Sequence, residues 1–356
     1  MSSNARRVRL CAVVFVVLLG ALFFGSLCFG TTVRFSTGEA WRGLIALLGL
    51  GEPLETASRQ TILELRVWRA LVTIGVGAAL ALSGGYIQGL FQNGLASPSL
   101  IGVTGGAALG AAVAVLIVGG YAPRLVLESL GGNAYLIPLF GFAGAFGTTA
   151  LVVYLSSGGG RTSVTSLLLT GIAVNMCVAG LFAAIQSLTL ENWEVSRAIL
   201  AWTFGTLDDR SGYHAGVVFS GLALAAACIP FTAVELDLLK GGEADAQSVG
   251  VDVKRLKWLA IFAAAVSAAA AVAVAGQIAF VGLVVPHLVR LAIGASHRVL
   301  LWLSMLGGAV FLLGAEFAQR WLLGDAALQP GVVMALIGGP FFLVLLVRER
   351  KEISAW

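Results

Sequence analysis

Residues 276–294 read GQIAFVGLVVPHLVRLAIG, an apolar run that carries Pro286, His287 and Arg290 toward its C-terminal end. The run reads as a membrane helix with a break built into it. Pro286 has no N–H to offer the carbonyl of Gly282, and in lipid such a vacancy is tolerated only where neighbouring protein or water fills it. The segment therefore belongs inside a bundle. His287 and Arg290 lie three residues apart and share a face, and a cation near a helix C-terminus is favoured by the dipole and can snorkel to the interface.

Composition agrees with a membrane setting. Of the 356 residues 58% are hydrophobic and 11% charged, against about 25% charged in a soluble domain, which makes the chain a polytopic membrane protein in contact with lipid. The 22 basic and 18 acidic residues are scattered and leave a net charge of +4, which excludes a nucleic-acid partner. Cys11, Cys28, Cys177 and Cys228 sit in apolar runs without ligand spacing, and with only three histidines in the chain no metal or catalytic cluster is expected. Gly158-Gly159-Gly160 lacks the GK[ST] ending of a phosphate loop, so no nucleotide site is expected either.

Apolar stretches of about 20 residues fall near 10–30, 67–90, 99–120, 134–156, 164–188, 213–232, 256–275, 278–294, 299–322 and 330–347. They predict one transmembrane domain over 1–356, with ten helices and both termini on one side. The first run follows Arg6, Arg7 and Arg9 but suits an uncleaved span better than a signal peptide. The connections on the side of the termini carry Arg161, Lys240, Lys254, Arg255, Lys257, Arg290, Arg298, Arg348, Arg350 and Lys351, a bias that marks the cytoplasmic face. The other side carries Arg124, Arg197, Arg210 and Arg320, with five arginines in 31–69. Within 31–66, read as a periplasmic interfacial segment, Ser36-Thr37-Gly38-Glu39 has capping-box spacing and precedes a short amphipathic helix. Gly102, Gly106 and Gly110, and again Gly331, Ala335 and Gly339, predict close helix seams, and the small residues from Ala263 to Ala273 predict an enclosed helix.

The string from Gly276 to Arg290 resembles the G-x-I-x-F-[VI]-G-L-[IV]-[VA]-P-H-x-x-R signature of FecCD-type permeases, the membrane subunits of bacterial ATP-driven importers for iron-siderophores, heme and vitamin B12. The resemblance extends over nearly the whole chain. Arg66-Val67-Trp68-Arg69 is similar to an R-x-P-R opening, and Gln88 to Pro98 to Q-x-x-x-x-N-P-L-A-x-P. Ala246-Gln247-Ser248-Val249-Gly250 is similar to A-x-x-L-G, Gly314 to Arg320 to G-A-x-x-A-D-x-x-A-R, and Gln329 to Phe342 to the E-L-P-x-G motif region. Trp68 and Gly94 stand where the family has prolines, Val249 where it has Leu, Glu316 where it has Asp, and Gln329 where it has Glu.

The resemblance implies an all-α type II importer permease that works as a homodimer in the bacterial inner membrane. Its partners would be two ATPase subunits, which hold the Mg-ATP that this chain does not bind, and a periplasmic substrate-binding protein. It implies a cytoplasmic gate at Asn93 and Leu95, and ATPase contact through Glu243, Ala246, Val249 and Gly250 in a coupling loop, 235–257. It further implies docking of the binding protein on Arg66, Arg69 and Arg320, and a structural motif of Gly282, Pro286, His287 and Arg290. The residues themselves add that 243–249 can form a short helix stopped by Gly250, with Asp252 capping the next. Arg197 follows a polar outer stretch and is expected either to meet an anionic cargo such as heme, the preferred cargo, or to pair with Glu194 at i−3. The alternative class is a secondary transporter without an ATPase, which needs ionisable groups within the membrane; Glu316, placed to pair with Arg320 at i+4, is the main candidate.

Overall fold

A 34-residue helix, Ala57–Leu90, forms the axis of the protein in a computed structural model that describes residues 3–30, 33–118, 135–157, 164–294, 296–324 and 328–353. In chain order the helices are α1 (Ser3–Cys28), α2 (Thr37–Leu47), α3 (Ala57–Leu90), α4 (Val103–Val118), α5 (Leu136–Ser156), α6 (Val164–Leu188) and α7 (Trp193–Thr203). There follow α8 (Gly212–Ala227), α9 (Ile229–Leu238), α10 (Glu243–Ser248), α11 (Val253–Ala275), α12 (Val281–Ile293), α13 (His297–Leu323) and α14 (Pro330–Ile353). Six of these, α1, α3, α5, α6, α11 and α13, are long and apolar enough to cross a membrane; α8 and α9 meet at a 52° bend and together make a seventh; α4, α12 and α14 are shorter apolar helices. The ten expected spans are thus found as helices in the expected order, one of them bent. Arg124, Arg161 and Gly158–Gly160 lie outside the described residues.

α3 is about 51 Å long at 1.5 Å per residue, well beyond the roughly 30 Å hydrocarbon core, so its first turns stand clear of the bundle's middle. Its central part is enclosed by α8, α11, α12 and α13. Small residues permit this. A Cβ on Gly77 would lie 2.3 Å from the Gly308 carbonyl oxygen of α13, and one on Gly84 only 1.7 Å from the Gly282 oxygen of α12. Polar clasps fix the register: Ser83 Oγ donates to the Ala264 carbonyl and Ser267 Oγ to that of Ala79, both at 2.7 Å, joining α3 to α11. Inside an apolar bundle such bonds satisfy groups that have no water to turn to. The small-residue helix α11 is enclosed as expected, with 83% of its apolar window buried.

Three expectations need adjustment. Residues 276–294 are not one helix: Gly276 (φ 72°) and Phe280 (φ 67°) adopt left-handed backbone, so α12 begins only at Val281 and runs 13 residues. Gly102 (φ 87°) closes a 3₁₀ turn over Pro98–Ile101 and so lies outside the helix α4, yet it still approaches α5, where a Cβ would lie 2.7 Å from Thr148 Cγ2 beside the seam that Gly106 and Gly110 make. On α14, Gly331 and Gly338 make the close approaches, whereas a Cβ on Gly339 meets nothing within 4 Å. The capping box at Ser36 and Glu39 forms as expected and opens α2, and the backbone N–H of Ser36 holds the Glu39 carboxyl below its ordinary pKa.

Candidate functional site

Polar groups gather at the two ends of the bundle, called inner and outer here after the charge bias of the sequence. At the inner end the break at Pro286 is repaired by α3. Gln88 Nε2 lies 3.4 Å from the Gly282 carbonyl, the one Pro286 cannot serve, and 3.0 Å from that of Leu283. Gln88 is 1% exposed; the side chain thus replaces a backbone donor in a place without water. The expectation that the flaw lies within protein is met, and its partner is the first residue of the Gln88–Pro98 motif.

That motif then turns back over the end of α12. Asn93 N donates to the Gln88 carbonyl, and Asn93 Oδ1 accepts from Leu95 N at 2.8 Å, a side-chain-closed turn. Gln92, in left-handed backbone (φ 50°), donates through Nε2 to the Leu239 carbonyl just past α9. A Cβ at Gly94 would lie 3.0 Å from Arg290 Nη1 and 3.3 Å from His287 Nδ1. The turn and the C-terminal part of α12 are therefore one unit, and Gly94 lets them touch. Asn93 is exposed and Leu95 half-buried. His297, which no sequence argument singled out, ties α13 to α9: Asp237 accepts from its backbone N–H and pairs with its Nδ1 at 2.7 Å. A carboxylate near the start of the expected coupling loop, 235–257, was the only sequence signal for it.

The expected coupling helix exists as α10. Gly250 (φ 91°) ends it, with Val251 N donating to the Ala246 carbonyl and Gly250 N to that of Gln247, a Schellman closure. Asp252 Oδ1 accepts from Arg255 N and caps α11. One residue must be reassigned. Ala246 is 0% exposed and faces the protein's own interior, so it seats α10 instead of offering a surface; Val249, 64% exposed, is the apolar side chain that projects. Glu243, half exposed, pairs with the buried Lys257 at 2.6 Å and holds α10 against α11.

At the outer end, Arg69 and Arg320 converge on Asp208, at 3.4 and 2.7 Å. Arg320 also meets Glu316 at 2.6 Å, the i+4 pair expected from sequence, and Gln319 Nε2 donates to the same carboxylate. The main candidate for ion coupling is thus bound on both sides. Arg66 does not join them. It is 6% exposed, donates to the Leu27 and Val33 carbonyls at 2.8 and 2.5 Å, and lies 5.0 Å over the Phe35 ring. Nη1 and Nη2 of its planar guanidinium hold the end of α1 to the segment before α2, and burial withdraws it from any docking surface. Arg197, on α7, is exposed and makes no ion pair among the described residues, so the expected alternative pairing with Glu194 is not formed. The buried face of α7 is Val195, Ala198, Ile199 and Trp202.

Comparison with known proteins places these features in a family context. A model of the FecCD transport family matches residues 13–348. The cobalamin import permease of Halobacterium salinarum is 38% identical over 323 residues, covering 89% of this chain and 81% of that protein. The hemin transport permease of Yersinia pestis is 37% identical over 294 residues, covering 82% and 84%. A solved ABC transporter chain of metal-chelate type, in an inward-facing conformation, superposes with a TM-score of 0.78 at 29% identity over 97% of this chain and 99% of the other.

Proposed function

The chain belongs to the FecCD transport family, and from that premise we propose that it is one of two identical permease subunits of an ATP-driven importer, with both termini cytoplasmic. In this reading two ATPase subunits engage the inner end and a substrate-binding protein the outer end. The observation that carries the ATPase assignment is α10: a short helix closed by Gly250, braced by Glu243 and Lys257, and presenting an exposed Val249. An apolar knob on a braced element suits a lasting protein contact, whose centre is apolar. Expressed with the ATPase of its own system, the wild-type chain should copurify with it and stimulate its hydrolysis; a chain that does neither overturns the reading.

The cargo belongs to the class of large iron chelates and tetrapyrroles. The cobalamin and hemin relatives differ from each other by one percentage point of identity to this chain, so heme is retained as the first cargo to test on chemistry, with the free Arg197 as the residue to meet its carboxylates. The passage is placed between two copies of the chain. On a two-fold axis identical residues face one another, and Asn93 and Leu95, on the turn that lies against α12, are the proposed inner gate.

A further inference from the structure

The outer cleft holds an excess of cations, one of which, Arg34, the transport reading does not use. It lies between the end of α1, the fourth and fifth turns of α3 and the end of α13, and Ser26, Arg34, Arg69, Glu316, Arg320 and Trp321 are among its lining residues. Arg66 stands directly behind its Gly30 wall, where a Cβ would meet the guanidinium. The neighbourhood thus contains four guanidinium groups against two carboxylates, Glu316 and Asp208. Arg34 is exposed and makes no hydrogen bond or ion pair among the described residues. The cleft has an unsatisfied demand for an anion, and at about 120 Å³ it suits a small charged group and not a tetrapyrrole.

Its surroundings identify the kind of anion. α1 is the most apolar of the long helices and only 6% of its window is buried, so this side of the bundle faces the bilayer. Phe29, Trp41, Trp321 and Leu322 are 47%, 56%, 65% and 69% exposed around the cleft's end of the bundle, and the Phe29 ring lies edge-on to that of Phe317 at 5.8 Å. Exposed Trp and apolar side chains at a helix end mark the headgroup level. We propose that this cleft binds the phosphate of an anionic phospholipid, with Arg34 as the principal contact and the acyl chains lying along α1 and the end of α13. Anionic headgroups are attracted by about 1 kcal/mol per basic residue near the surface, and a phosphate bound to a guanidinium in a walled cleft gains directed hydrogen bonds in addition.

Native mass spectrometry of the detergent-purified full chain, titrated with phosphatidylglycerol and with phosphatidylcholine of the same acyl chains, tests this. Phosphatidylglycerol should bind more tightly than phosphatidylcholine, and Arg34→Gln should weaken it by about fivefold. Ser26→Phe, which fills the cleft without changing charge, should weaken it as well and serves if Arg34→Gln fails to fold. Equal retention of the two lipids, or phosphatidylglycerol binding unchanged in both variants, overturns the proposal. Displacement of the lipid by millimolar inorganic phosphate would make this a free-anion site and also overturn it. So would loss of binding-protein affinity in both variants with phosphatidylglycerol binding intact, which would assign the cleft to protein docking. None of these readouts involves the ATPase, so failure here leaves the importer reading standing.

Discussion

Gly84→Ala tests the packing on which the inner site depends. The added Cβ would lie 1.7 Å from the Gly282 oxygen, 2.4 Å from its carbonyl carbon and 2.7 Å from its Cα, all backbone atoms of α12. An ordinary C···O contact is about 3.3 Å, so the helices must part by roughly 1.6 Å, and no side-chain rotation relieves the overlap. Overpacking of this kind costs about 1–3 kcal/mol, and a backbone obstacle puts it at the upper end. Separation would also stretch the Gln88 bonds to Gly282 and Leu283, at about 0.5–1.5 kcal/mol each. The better helix propensity of Ala returns about 1 kcal/mol. A net loss of about 3–5 kcal/mol follows, or ~6–20 °C in Tm by the scaling of domains of 150–250 residues. Thermal unfolding in nanodiscs at a fixed scan rate measures it, with Gly339→Ala, whose Cβ meets nothing within 4 Å, as the control. Equal midpoints for wild type and Gly84→Ala would refute the backbone contact and with it the packing of α3 on α12.

Four further outcomes are expected. Val249→Arg should abolish stimulated ATP hydrolysis at unchanged Tm, whereas Ala246→Arg, which places a cation at a fully buried position, should lower stability by about 3 kcal/mol or more; the reverse pattern, read by ATPase assay and thermal unfolding, would restore Ala246 to the interface. Arg66→Ala should cost about 2–4 kcal/mol through its lost carbonyl bonds while the folded protein keeps its affinity for the binding protein, and Arg69→Glu with Arg320→Glu should reduce that affinity in nanodiscs. Leu95→Cys should crosslink between subunits when the gate is shut and less in a nucleotide-trapped state; crosslinking blind to nucleotide counts against a gate. Arg197→Ala should slow heme uptake by proteoliposomes and leave uptake of a neutral corrinoid unchanged, and equal heme rates would remove it from the pathway.

Hydropathy located the spans because a bilayer demands about 20 apolar residues of each crossing, and the demand is visible in one dimension. It extended α12 by three residues because a Gly and an aromatic in left-handed backbone leave no mark on hydropathy; Phe280 in particular reads as any other apolar residue. The caps at Ser36, Gly250 and Asp252 were legible because a cap is made by neighbours in sequence. The side on which Ala246 and Val249 face was not, since α10 has six residues and its burial is set by α9 and α11. Arg66 and Arg69 look alike in the string, yet one binds carbonyls and the other Asp208, 139 residues away. Motif resemblance brought Gln88, Asn93 and Pro286 forward separately; that Gln88 mends the break at Pro286 is a fact of the third dimension.

The central claim is ATP-driven import through this chain with separate partners. Heme and cobalamin uptake should be measured in proteoliposomes holding the chain with its ATPase, with binding protein on the outer side and ATP within. Uptake of one of these cargoes should require ATP and every partner, and an imposed proton or sodium gradient should not replace ATP. Uptake by this chain alone, driven by an ion gradient and indifferent to ATP, would contradict the account.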